Sequence, residues 1–290
     1  MENITNKKYS MIGLVTLFNP EVEQAAKNIL RYANGLDQLL IWDNSPLEKG
    51  IKQSLLPLLV NVEDKIIWHG TGENLCIAPA INYAWEIAKA QKHDFILLMD
   101  QDSQWNDFAY YRETIEQNYN KGVHWVFTPY FPEHDPFMPS APIVFRNIFI
   151  NSGTVIPTEI FNAINGADEA FPLDALDTDM SYRIKKVGYQ IACLTDCVLH
   201  HTIGQPIKRG PFHLFTNDYG RFRTYSITRG HIICYRKHRD IMTAYEKRKF
   251  FKEIFMWKLI RMILVENDKI GRFKMFFKGI KDGISYKIKN

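Results

Sequence analysis

The chain has 290 residues, 46% of them hydrophobic and 23% charged, which excludes a disordered or fibrous polypeptide. No run of 18 apolar residues is present, which excludes a hydrophobic spanning helix. The formal charge of +4 is unevenly spread, with 17 Lys+Arg against 6 Asp+Glu from Arg229 onward and 19 against 26 before it. A basic C-terminal segment on an acidic body bears on partners rather than on fold. Four cysteines in a chain of this length do not form a disulfide framework and fit a reduced, cytosolic compartment. The start, MENITNKKYS, lacks the apolar stretch of a secretory signal.

Strand-like apolar runs then alternate with helical patterns. Ser10–Phe18 reads as a buried strand, and Asn19-Pro20 as the N-cap and first position of a helix. Gln38–Asp43 is a second strand, closed by the turn residues DNSP, and Lys65–His69 a short third. Ile77–Gln91 has helical spacing. Phe95–Met99 and His124–Tyr130 read as further strands. Phe131–Pro142 is a proline-rich loop, and Asn147–Pro157 a strand running through Ser152-Gly153. A short helix is expected from Thr158. Asp177–Gly188 reads as a helix with acidic residues first, Lys185 and Lys186 last, and Gly188 just past its end. Two short strands are expected near YQIACL and CVLHH, followed by basic, helical sequence. The rhythm predicts an α/β fold whose mainly parallel sheet is covered on both faces. The domain expectation is 1–210 for the body and 211–290 for a basic helical C-terminal region.

Ligands in open parallel sheets bind beyond the carboxyl ends of the strands. Asp43 and Asp100 stand at such ends, with Asp102 just beyond. An isolated Asp-x-Asp is also what a helix cap would look like. Two other features favour a site. Asp174, Asp177 and Asp179 crowd one helix start, where a cation or a substrate hydroxyl would relieve their repulsion. His200 and His201 end a predicted strand, with His201 the favoured ligand and His200 its packed neighbour. Carboxylates with imidazole suit Mn²⁺, or Mg²⁺ that keeps part of its water. A zinc site built on Cys193, Cys197, His200 and His201 is disfavoured, because no turn joins the cysteines. Trp105 reads as core or as a cover for the site.

In order, VTLFNP, IWDNSP, ENLCIAPAIN, LLMDQDS, NSGTVIP, LDTDMSYRIKKVGY and LHHTIG resemble glycosyltransferase family 2 over roughly Ile12–Gly204. DQDS and LDTDMSYR are most similar to bacterial rhamnosyltransferases. The resemblance implies a GT-A fold, with a Rossmann-like, mainly parallel sheet flanked by helices, and an inverting, metal-dependent transfer from a nucleotide-sugar donor. It implies that Thr16 and Asn74 line the nucleotide pocket, that Asp43 contacts the nucleobase, and that Asp100 lies near the ribose. Asp102 would coordinate a divalent cation (Mn²⁺ or Mg²⁺), with His201 as a further ligand. Asp177 would be the general base, with Arg183 following it on the donor side. Asp179 is expected to matter much less. Where the family often has glycine, this chain has Cys76.

The donor implied first is dTDP-L-rhamnose, with galactofuranose or N-acetylglucosamine donors as alternatives. The acceptor would be a glycan or lipid-linked glycan in surface polysaccharide synthesis. A non-catalytic GT-A module that binds sugar nucleotides is the alternative from another class. At the C-terminus, Phe273, Phe276, Phe277, Ile280, Ile284 and Ile288 recur at helical spacing among Lys274, Lys278 and Lys281. That pattern fits either a helix on an anionic membrane surface or a helix packed on the body. No nucleic-acid-binding module is recognisable. The implied location is cytoplasmic, peripheral on the inner face of the membrane.

Overall fold

The computed structural model describes residues 8–133, 135, 139–201, 207–209 and 214–288. Thr202–Gly204 of the LHHTIG segment, part of the proline-rich loop, the first seven residues and the expected domain boundary at 210 lie outside these. The chain forms two compact units, Met1–Ala167 with Arg183–Thr202, and Asp168–Tyr182 with Ile203–Asn290.

The first unit is built on a nine-stranded sheet. Its elements in order are β1 (Met11–Leu17), α1 (Val22–Ala33), β2 (Gln38–Asp43), α2 (Ile51–Leu55), β3 (Ile66–Gly70), α3 (Ala78–Gln91), β4 (Phe95–Asp100) and β5 (Ser103–Trp105). There follow α4 (Phe108–Asn120), β6 (Val126–Tyr130), β7 (Ile143–Arg146), β8 (Val155–Pro157), α5 (Thr158–Ile164), the last turn of α6 (Leu176–Lys186), and β9 (Ile191–His201). The strand order is β3-β2-β1-β4-β8-β6-β9-β5, with β7 also on β9. The pairs β3-β2, β2-β1, β1-β4 and β6-β9 are parallel, whereas β8, β5 and β7 pair antiparallel.

Both faces of the parallel strands are covered, which is why β1 and β4 read as unbroken apolar runs rather than alternating ones. Their register does the positioning. Leu17 lies beside Asp43 and Thr16 beside Asp100, so the ends of β2 and β4 flank the end of β1.

Three local expectations are corrected. Helix α1 is capped by Glu21, whose carboxylate accepts the Gln24 N–H at 2.6 Å; Asn19 sits instead at φ +44° in a bend. Asn147–Pro157 is not one strand, because Gly153 at φ +76° turns the chain and leaves only Val155–Pro157 extended. A Cβ at Gly153 would come within 2.5 Å of Leu199 Cδ2, so only glycine fits this turn. The two short strands near the histidines are one, β9, bulged opposite Pro129/Tyr130.

The second unit contains the start of α6, the antiparallel pair β10 (Ile207–Arg209) and β11 (Leu214–Thr216), then α7 (Arg221–His238), α8 (Ala244–Phe251), a π-helical turn (Lys252–Trp257), α9 (Lys258–Leu264) and α10 (Lys269–Ser285). Helix α10 packs on α7 through glycines. A Cβ on Gly279 would lie 2.9 Å from the Tyr225 carbonyl, and one on Gly283 would lie 2.9 Å from Ile232 Cβ. Phe276 is buried on this face, while Phe277 and Ile284 are each 60% exposed. No helix among the described residues is long and apolar enough to cross a membrane.

Candidate metal centre

The turn from β4 into β5 carries the two aspartates. It is pinned at Gln101, whose carbonyl accepts from Asn28 Nδ2 at 2.8 Å and whose Oε1 accepts the Phe18 N–H at 2.8 Å. Beyond it, β5 pairs antiparallel with the end of β9, with Ser103 opposite His201. This pairing brings an imidazole 98 residues away to the Asp-x-Asp turn. One ligand atom each of Asp100, Asp102 and His201 lies within 4.8 Å of the others. His201 Nε2 is 3.9 Å from Asp100 Oδ2, and Nδ1 is 3.4 Å from Asp102 Oδ1. Two carboxylates and an imidazole at this spacing can hold a divalent cation.

A serine relay lies behind the histidine. Ser152 Oγ–H donates to Ser103 Oγ at 2.6 Å, and Ser103 Oγ is 2.7 Å from His201 Nδ1. Ser152 Oγ also accepts the Asp100 N–H at 3.2 Å. With its proton on Nδ1 and donated to Ser103, the ring leaves the Nε2 lone pair for a cation. His201 is 8% exposed. Burial alone would lower its pKa, but the contact with Asp102 and the charges of Asp100, Asp102 and Glu133 raise it overall. The pocket therefore favours a positive charge, on the ring or beside it. His200 faces away from this cluster and lies 2.7 Å from exposed Glu133.

The end of β2 supplies a second cluster. Asp43 is buried, and its Oδ1 accepts the Ser45 N–H at 2.9 Å. Gly70 is its register partner, and a Cβ there would lie 3.2 Å from Asp43 Cβ. Asn44, which the sequence reading passed over, fastens the neighbouring loop. Its Oδ1 accepts from Trp42 Nε1 and the Leu75 N–H, each at 3.0 Å, and its Nδ2 donates to the Cys76 carbonyl at 3.0 Å. The sequence clue was the DNSP turn chemistry itself. Asn74 is exposed and accepts the Cys76 N–H at 2.9 Å. Cys76 sits at φ +63°, the region that glycine occupies without strain. Trp42, His69 and Tyr83 form an aromatic wall, with Trp42 and His69 stacked at 4.1 Å. Thr16 is half-buried on β1, beside Asp100 in register. Trp105 is core, stacked on Tyr111.

Asp177 belongs to the second unit, in the first turn of α6. Burial pushes its carboxyl above the usual carboxylate range; the Thr178 N–H and the His231 charge pull it partly back, and Asp174 adds to the rise. Helix α7 supplies basic side chains to its neighbours. Asp179 lies 2.9 Å from Lys237 Nζ and 2.8 Å from His238 Nε2, and Asp174 lies 3.4 Å from Arg223 Nε. The crowding of acids is thus met internally at Asp179 and, through Oδ1, at Asp174. Arg183 donates to the carbonyls of Ile164 and Gly166, both at 2.6 Å, closing the end of α5.

No protein-family model matches the sequence, and no curated protein does. Solved structures do match. The mannosyltransferase PcManGT from Pyrobaculum calidifontis, in complex with GDP-Man and Mn²⁺, aligns at TM-score 0.59 and 14% identity over 98% of this chain and 78% of that one. S. aureus TarS 1-349 in complex with UDP-GlcNAc aligns at 0.60 and 13% over 95% and 80%. GalNAc-T7 with UDP, GalNAc and Mn²⁺ aligns at 0.58 and 10%; this chain is covered to 94% but spans only 56% of that structure. At these identities the likeness is one of fold. The chain has the GT-A fold, a mixed sheet flanked by helices.

Proposed function

We propose that the chain is a metal-dependent glycosyltransferase that takes its sugar from a nucleotide-sugar donor. The observation that carries this reading is the convergence of Asp100, Asp102 and His201 at the carboxyl-end edge of the sheet. The structures of similar fold hold GDP-Man, UDP or UDP-GlcNAc, two of them with Mn²⁺. Asp102, His201 and, on this geometry, Asp100 hold the cation. A bound divalent ion would neutralise the charge that develops on a diphosphate leaving group. Thr16, Asp43 and Asn74 border the nucleotide, and the Trp42–His69–Tyr83 wall offers a base a stacking surface. Asp177 takes the proton of the acceptor hydroxyl in a single, inverting displacement. Arg183 acts by shaping the end of α5.

The donor proposed first is dTDP-L-rhamnose, and the acceptor is a glycan or lipid-linked glycan. Helix α10 supports docking on an anionic membrane surface, since Ile270, Phe277 and Ile284 are exposed with Lys274, Lys278 and Lys281. The test is hydrolysis of a panel of nucleotide-sugars with and without Mn²⁺. Cation-dependent hydrolysis of one donor, lost in Asp102→Asn, is expected because a neutral amide is a poorer ligand for a hard cation. Donor binding that ignores both the cation and the substitution would overturn the reading.

A further inference from the structure

The second unit carries an open cavity of about 360 Å³, lined by none of the residues given a role above. Its walls come from β11, α7, the π-helical turn and α9, and include Tyr219, His231, Glu253, Lys258, Arg261 and Glu266. The volume falls within the range of small-molecule sites. The π-helical turn lies immediately before Lys258, and such turns recur at functional positions in helices.

Lys258 is 9% exposed. An ammonium group carries three donors and is costly to bury unpaired. The Lys258 ammonium makes no hydrogen bond or ion pair with the described residues. Burial lowers its pKa, Glu266 works against that, and Arg272 and Arg261 reinforce it.

The acid nearest in effect, Glu266, is already committed. Its Oε1 accepts from Thr216 at 2.8 Å and its Oε2 pairs with Arg272 at 2.7 Å. Arg272 also pairs with Asp218 at 2.8 Å. Asp174, which does not line the cavity, meets Arg223 through Oδ1 at 3.4 Å. The Arg261 guanidinium has one loose ion pair among the described residues, 3.7 Å from half-exposed Glu253. His231 Nδ1 is engaged with the Ile227 carbonyl at 2.8 Å. Among the described residues, the wall therefore presents two cations with uncommitted donors, and the one buried acid lining it, Glu266, is already paired.

We propose that this cavity is a phosphate-binding site, in which Lys258 and Arg261 seat the phosphate group of a ligand. Arg261 brings the planar fork that matches a phosphate, and Lys258 the desolvated point charge. The site shares no residue with the Asp100–Asp102–His201 cluster and does not depend on the reading of that cluster. The phosphate could belong to a soluble phosphomonoester or to a lipid headgroup.

The test uses the full chain in EDTA at constant ionic strength, so that cation-dependent binding elsewhere is silent. Inorganic phosphate is titrated while thermal unfolding is followed. A saturable rise in Tm is expected for the wild type and for Asp102→Asn alike. Lys258→Met should abolish it, and Arg261→Gln should weaken it roughly ten- to a hundredfold, the scale of a lost charge-assisted hydrogen bond. Arg261→Gln changes a partly exposed side chain and carries the test should Lys258→Met fail to fold. No saturation in the wild type, or unchanged phosphate affinity in either folded variant, would overturn the proposal. Binding to phosphatidic acid vesicles that inorganic phosphate displaces, and that Lys258→Met loses, assigns the phosphate to a headgroup; vesicle binding indifferent to phosphate assigns it to a soluble ligand.

Discussion

Ser103 Oγ stands 2.7 Å from His201 Nδ1, on the strand pairing that carries the histidine to the two aspartates. The hydroxyl fixes the ring while Ser152, donating from behind, ties the same relay to the Asp100 backbone. A ligating imidazole held through its other nitrogen keeps its tautomer and orientation.

Ser103→Ala should therefore weaken Mn²⁺ binding by roughly ten- to a hundredfold without unfolding the chain. Titration of Mn²⁺ followed by electron paramagnetic resonance reads this directly. Unchanged affinity would mean that packing alone orients His201.

Asp177→Asn should leave nucleotide-sugar binding intact and cut transfer by roughly two to four orders of magnitude, the usual contribution of a general base. In the wild type, burial raises the Asp177 pKa, so transfer should rise with pH along a limb lying above the ordinary aspartate value of about 3.9. The stability sign follows from the same shift. A carboxyl raised in the folded state favours folding below its unfolded pKa, and that advantage is lost as pH rises through the folded value. The Asn variant should accordingly gain stability over the wild type at neutral pH, and the gain should vanish in acid. A transfer rate near wild type would move the base elsewhere.

Asp179→Asn will not behave as a mild neighbour of Asp177, contrary to the sequence expectation. Asp179 is fully buried between Lys237 and His238. Removing its charge takes the buried carboxylate from His238 Nε2 and leaves Lys237 with Asp168 at 2.6 Å, a loss on the order of 3–5 kcal/mol. Urea denaturation should show a much lower midpoint, and any lost transfer should track the lost folded fraction. A variant with wild-type stability and no transfer would instead give Asp179 a direct part in the chemistry.

Deleting α10 cannot test membrane docking, because Phe276, Gly279 and Gly283 pack it against α7. The exposed side can be altered alone. Phe277→Ser with Ile284→Ser should release the protein from anionic liposomes at unchanged Tm, and Lys274→Glu with Lys278→Glu should do so by roughly 1 kcal/mol per charge removed. Sedimentation with liposomes that is the same for all variants would leave α10 as an ordinary packed helix.

By itself the sequence determined the strands of the parallel core, the helices α3 and α6, and the placing of Asp43, Asp100 and Asp102 at strand ends. Those features are written in local periodicity and turn chemistry, which act within a few residues. It also pointed to Cys76 as a departure, and the φ of +63° there gives the reason. Only the tertiary structure decided which histidine joins the aspartates, because that depends on the register of β5 against β9 across 98 residues. It decided too that the acids at the start of α6 differ in role: α7 brings Lys237, His238 and Arg223 to Asp179 and Asp174 and leaves Asp177 half-buried, under the influence of His231. Helix α10 shows the same limit. Its phenylalanine and isoleucine spacing marks an apolar stripe, yet the face packed on α7 is set by glycines whose missing side chains admit the neighbouring backbone. Side-chain pattern records what could be buried; which face is buried depends on the shape of the partner.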